Sequence, residues 1–158
     1  MKMMHLLVVG LVLGLMACDG ETSDARGQSA PVTVETLTEG LDHPWALTFL
    51  PVGDLLVTER SGTLKRLGPD GEEVTEIAGV PEVDARGQGG LLDVALDPDF
   101  ADNRYVYLTW SGAGKGGNAT HLGRGRLQGN TLEDFETLFV ATPFVNSTKH
   151  FGSRLVFD

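Results

Sequence analysis

Side chains able to do chemistry gather around Gly87-Gln88-Gly89-Gly90, where three glycines frame one glutamine just before the apolar run Leu91-Leu92-Asp93-Val94-Ala95-Leu96. Glycine lets a backbone turn tightly and approach another group closely, so this stretch is suited to presenting one polar side chain, Gln88, at the mouth of a strand. No Gly-Lys-Ser/Thr follows, which excludes a phosphate loop. Taken alone, the pattern also fits an ordinary glycine-rich entry to a buried strand. Other candidates are weaker. His43 lies beside Pro44 and Trp45 and reads as loop packing, while His121 falls on a strand pattern with no liganding partner spaced nearby. Asp97, Asp99 and Asp102 crowd one loop but lack the oxygen-ligand spacing of a calcium loop, so they read as turn residues and no metal site is expected. Asn118-Ala119-Thr120 and Asn146-Ser147-Thr148 fit the glycosylation sequon.

These groups need a scaffold, and its period is two. Leu92, Val94 and Leu96 share one face of a strand and Leu91 and Ala95 the other, which describes an inner strand covered on both sides. Earlier, Trp45, Leu47 and Phe49 share a strand face, Pro51-Val52-Gly53-Asp54 turns, and Leu55 to Glu59 runs back. Ser61-Gly62, Thr63 to Leu67, Pro69-Asp70-Gly71 and Glu73 to Ala78 complete four up-and-down strands, the content of one propeller blade. The pattern then restarts with Leu91 to Leu96, Arg104 to Trp110, a glycine-rich turn from Gly112 to Gly117, His121 to Leu127 and Phe135 to Ala141. A third start is expected at Gly152 to Asp158, and Val32 to Leu37 alternates as a possible first strand. Pro51 and Pro98 stand 47 residues apart, within the roughly 40 to 50 of propeller repeats. With no 3.6-residue apolar period after the amino-terminal run, the expected fold class is all-β, a β-propeller.

The chain opens with Lys2 and an uncharged run from Leu6 to Met16, short for a bilayer span and suited to a signal peptide over residues 1–17. Leu15-Met16-Ala17-Cys18 resembles a bacterial lipobox, which implies lipidation of Cys18, the only cysteine. Residues 18–31 read as a flexible tether, and the folded domain is expected over 32–158. That arrangement predicts a cell-envelope protein on the periplasmic side, touching the membrane through its lipid alone. Asp19 resembles the signal retaining some lipoproteins at the inner membrane. Twelve basic against 22 acidic residues, a formal net charge of −10, argue against a nucleic-acid partner.

Leu41-Asp42-His43-Pro44-Trp45-Ala46-Leu47, Leu55-Leu56-Val57-Thr58-Glu59-Arg60, Gly87 to Ala95 and His150-Phe151-Gly152-Ser153-Arg154-Leu155-Val156-Phe157-Asp158 together resemble the glucose/sorbosone dehydrogenase family. The resemblance implies a six-bladed propeller binding pyrroloquinoline quinone on its top face, with calcium, and oxidising aldose sugars at the anomeric carbon to lactones. It implies His150 as the catalytic base and Gln88 as a sugar-binding residue. An imidazole suits removal of a hydroxyl proton near neutral pH, and His150 repeats the place of Gln88 one blade later. On this reading Gln88 is worth one neutral hydrogen bond, roughly 0.5 to 1.5 kcal/mol. Arg154, inside the strand motif, is expected to make structural bonds. Lys149 departs from the acidic or amide residue of some relatives, and Ser153 replaces a frequent glycine. Six blades need about 240 to 300 residues, so about two blades plus one strand are expected here, a fragment inactive by itself. The calcium ligands, the residues holding the quinone's carboxylates and the aspartate orienting the histidine are expected beyond Asp158, and the electron acceptor is a further partner. A non-catalytic propeller acting as a binding module at the envelope is the alternative. A lactonase would need metal-binding carboxylates, which have no evident candidates.

Overall fold

The computed structural model describes residues 32–158. The predicted signal peptide, Cys18 and the tether lie outside the described residues. The regular structure belongs to the unit Glu35–Asp158; of the unit before it, only residues 32–34 are described, without regular structure. Among the described residues the backbone forms two antiparallel four-stranded sheets, each in simple up-and-down order. The first contains β1 (Pro44–Phe49), β2 (Leu55–Glu59), β3 (Thr63–Leu67) and β4 (Val74–Ile77). The second contains β5 (Leu91–Leu96), β6 (Tyr105–Gly114), β7 (Gly117–Gln128) and β8 (Thr131–Val140), with a single helical turn, α1 (Phe100–Asn103), between β5 and β6. Each sheet has the strand order expected of a propeller blade.

Alternation decides which faces meet. Leu56, Leu64 and Ile77 of the first sheet pack with Leu91, Val94, Val106, Leu108, Trp110, Leu127 and Leu132 of the second in one buried cluster. The inner strand β5 is covered on both sides at Leu91, Leu92, Asp93 and Val94, all buried. On the far face of the first sheet Leu55, Val57 and Leu67 are buried with Leu41 against them. Trp45, Leu47 and Phe49 on that same face are 48%, 52% and 65% exposed.

One repeated contact ties each sheet to the next stretch of chain. The Ala46 N–H donates to Thr58 Oγ1 (3.0 Å), and that hydroxyl donates to the Leu92 carbonyl on β5 (2.7 Å). In the second sheet the Asp93 N–H donates to Thr109 Oγ1 (3.0 Å), whose hydroxyl donates to the Ser153 carbonyl (2.9 Å). Both hydroxyls enter where the inner strand's ladder shifts register, between Pro44 and Ala46 and between Leu91 and Val94. A bulge leaves a backbone N–H unpaired, and a hydroxyl can accept that proton while giving its own away. Ala46 and Asp93 are 47 residues apart, the offset of the prolines.

Three expected features differ. Residues 32–37 form no strand, because alternation without a ladder leaves the backbone groups unpaired and holds nothing in place. The glycine-rich turn expected over 112–117 is narrower: β6 and β7 run into the stretch, pair Gly114 with Gly117 and turn only at Lys115-Gly116. There Asn118 exchanges backbone hydrogen bonds with Val145, which extends the pairing past the glycines. Residues 152–158 are likewise not a strand; side chains of β5 and β6 hold them instead of a ladder.

Candidate functional site

The turn before β5 carries Gln88 and is set by close approaches that only glycine permits. Gly90 has φ 131°, and a Cβ there would lie 2.0 Å from the Arg60 carbonyl oxygen, the acceptor for the Leu91 N–H at 3.2 Å. Gly87 has φ 60°, and its Cβ would lie 2.6 Å from the Thr148 carbonyl oxygen. Gly90 thus lets the turn lie against the end of β2, and Gly87 lets it lie directly against the segment that leads to His150.

Two hydrogen bonds join the turn to that segment. The Gln88 N–H donates to the Thr148 carbonyl (2.8 Å), and the His150 N–H donates to Gln88 Oε1 (2.9 Å). His150 has φ 64°, a left-handed conformation unusual for a side-chain-bearing residue. Such a conformation persists where its surroundings over-determine it, and the amide oxygen of Gln88 is one of the groups doing so. With that oxygen engaged, the Gln88 Nε2 group is the end left for a ligand.

The structure therefore brings Gln88 and His150, 62 residues apart in sequence, to one cavity. It measures about 500 Å³ and is lined by Trp45, Arg60, Gly87, Gln88, His150 and Phe151. Arg60 donates through Nη1 to the Gly87 carbonyl, so the guanidinium buttresses the turn while lining the space. An indole can stack on a planar ligand, a guanidinium can pair with its anionic oxygens, and an amide and an imidazole can hydrogen-bond hydroxyl groups. On chemistry these residues fit one flank of a quinone site. Among the described residues no group of three or more His, Cys, Asp or Glu side chains is arranged to hold a metal, and no calcium ligand is assigned to them.

Behind the turn lies a polar knot built on the buried Asp84 and Asn118. Asp84 accepts from Arg86 Nε (2.8 Å) and Nη2 (2.7 Å), from the Arg86 N–H (3.2 Å) and from Asn118 Nδ2 (3.2 Å). The Arg86 guanidinium above all holds the Asp84 carboxyl well below the usual carboxylate range, against the opposing effect of burial. Ser111 Oγ donates to the Asp84 carbonyl (2.6 Å) and accepts from the Gly90 N–H (2.7 Å), joining knot and turn.

The remaining candidates are engaged elsewhere. His43 pairs with the neighbouring Asp42 in the solvent. The His121 ring stacks on Trp110 with centroids 5.2 Å apart and places Nδ1 3.0 Å from the Ala119 carbonyl oxygen. It lines a second recess of about 580 Å³ with Glu82, Asp84, Arg86 and Trp110, in which Asp84 and Arg86 are already paired. Asp97 accepts from the Asp99 N–H, from Asn103 Nδ2 and from the Tyr107 hydroxyl, closing its own turn. Arg154 Nη1 donates to Asp93 Oδ1 at 3.2 Å and does not line the cavity. Asn118 is buried, whereas Asn146 is exposed. Sequence reasoning gave no role to Trp45, Arg60 or Phe151, although each lies inside a motif it singled out; the missing signal was which strand mouths converge.

Comparison with known proteins places these features in context. A sequence model of the family described as glucose/sorbosone dehydrogenase matches residues 41–158. The chain is similar to aldose sugar dehydrogenase YliI of Escherichia coli (strain K12), 47% identical over 133 residues, covering 82% of this chain and 36% of that protein. A crystal structure of a glucose dehydrogenase superimposes with a TM-score of 0.77 at 46% identity over 80% of this chain and 38% of its own. The PQQ-bound aldose sugar dehydrogenase of Streptomyces coelicolor superimposes with a TM-score of 0.58 at 34% identity over 70% of this chain and 34% of its own. The chain thus spans about a third of the length of these relatives.

Proposed function

The chain belongs to the glucose/sorbosone dehydrogenase family, and from that membership we propose that its two β-propeller blades carry the proton-accepting flank of a quinone-dependent aldose dehydrogenase site. The observation that carries this reading is the bond from the His150 N–H to Gln88 Oε1, which fixes an imidazole and an amide at one cavity.

The division of labour follows from the donor set. A sugar hydroxyl within reach of His150 gives its proton to the imidazole, the side chain used most often as a general base. As that O–H bond breaks and the anomeric C–H bond gives up its hydrogen with both electrons, the anomeric C–O bond becomes a carbonyl and the sugar leaves as a lactone. Gln88 Nε2 donates to a sugar oxygen, while Oε1 keeps the His150 main chain in its left-handed geometry. Trp45 and Arg60 are the residues here that would flank the quinone. Bound there, pyrroloquinoline quinone supplies the two-electron acceptor for the hydride released from the anomeric carbon. The exposed polar groups converging on one cavity fit an enzyme better than a passive binding module.

The test uses the full-length protein containing this chain, loaded with pyrroloquinoline quinone and calcium and assayed by dye reduction with an aldose. His150→Ala should lower kcat by about 10² to 10⁴, the usual worth of a positioned general base, with quinone binding retained. Undiminished turnover would remove His150 as the base.

A further inference from the structure

The segment carrying His150 is held at a second place, by a buried carboxylate outside the cavity. Asp93 on β5 is 2% exposed. Its Oδ2 accepts from the Leu155 N–H at 2.7 Å and its Oδ1 from Arg154 Nη1 at 3.2 Å. Beside it Thr109 donates to the Ser153 carbonyl at 2.9 Å. Beginning at the Gln88 bonds, the chain from Thr148 to Leu155 is thus fastened at Thr148, His150, Ser153, Arg154 and Leu155.

The first sheet shows which part of this fastening is general. There the threonine contact is present, from Ala46 to Thr58 to Leu92, with a methyl group where the second sheet has the Asp93 carboxylate. Joining one sheet to the next therefore does not need a carboxylate at this position. The carboxylate occurs where the following segment bears His150, and it satisfies a main-chain donor five residues beyond that histidine.

We propose that Asp93 is a positioning residue for His150. It fixes the carboxyl-terminal side of the segment whose amino-terminal side Gln88 fixes, and with both sides held the left-handed backbone at His150 has no freedom to relax. This rests on His150 being the base, since misplacing a reacting group by about 1 Å can lower a rate by about 10²-fold.

The experiment compares Asp93→Ala, which copies the arrangement at Ala46, and Asp93→Asn, which keeps one acceptor oxygen, in the full-length protein. Steady-state kinetics are read alongside backbone hydrogen exchange of the quinone-free protein. Asp93→Ala should lower kcat by about 10²-fold with KM nearly unchanged, and Asp93→Asn should lower it less. In both, amides of residues 148–155 should exchange faster while those of β1 to β4 keep their rates. The proposal is overturned if exchange in 148–155 is unchanged, if it rises with kcat intact, or if β1 to β4 loosen equally, which would make Asp93 a general stability residue. If Asp93→Ala does not fold, Asp93→Asn decides by the same criteria. A His150→Ala control separates the two ideas: intact turnover there defeats the base assignment, while locally faster exchange in the Asp93 variants still reports the fastening.

Discussion

Gln88 was readable as the side chain its glycines exist to present, but half its work was not. Sequence reasoning valued it at one neutral hydrogen bond to a sugar, whereas its Oε1 holds the His150 main chain. Nothing in a sequence marks which of an amide's two ends will be taken by backbone, because the partner lies 62 residues away. Asp84 was invisible for a related reason. In sequence it is one acid among 22 with Arg86 two residues on, and only folding buries it and brings Asn118 onto it. Its depressed folded pKa means the native state gains from the ionised form. That gain is complete above the unfolded value of about 4 and is lost as pH falls toward the lower folded value. Asp84→Asn should therefore destabilise the protein at pH 7, and the difference from wild type should shrink steadily below about pH 4 in thermal melts. A difference that widens in acid would contradict the assignment. Arg86 is largely exposed, so solvent screens the pair and the expected effect is modest.

At the scale of elements, β2, β3 and β5 were legible because Pro, Gly, Asp and Ser bound them and their apolar residues alternate or run unbroken. The turn expected over 112–117 is confined to Lys115-Gly116, because glycine permits a turn without requiring one, and Asn118 pairs with Val145 just beyond it. By residue type the threonines are β-branched residues suited to strands. Thr58 is in fact buried with both hydrogen-bonding capacities in use between two sheets. Thr58→Val keeps the shape and leaves the Ala46 N–H and the Leu92 carbonyl short of a partner. Denaturant unfolding should show a loss of about 1 to 3 kcal/mol with an unchanged m-value. An effect below about 0.5 kcal/mol, within the range of ordinary surface substitutions, would show that the bracket contributes little.

For the whole molecule, the acidic composition argues against a nucleic-acid partner and the 47-residue offset announces a repeat. The alternation of Trp45, Leu47 and Phe49 marks a strand face that needs a covering layer. All three are at least 48% exposed here. A contiguous apolar surface of this kind is uncommon on soluble monomers. The net charge of −10 opposes association but is screened beyond about 8 Å at physiological salt. This chain by itself should accordingly self-associate with rising concentration in analytical ultracentrifugation, and Leu47→Lys with Phe49→Ser should return it toward monomer. A monomer at every concentration, with or without the substitutions, would be the contrary result.

The threonine bracket also has a direction in time. In both instances the hydroxyl belongs to the earlier sheet and the carbonyl to the chain that comes after it. Synthesis proceeds from the amino terminus and domains form as they emerge, so each latch exists before the piece it closes on has been made. Thr58 waits for Leu92, and Thr109 for Ser153. A blade built this way is finished by its successor, and the order of the sequence becomes the order of assembly.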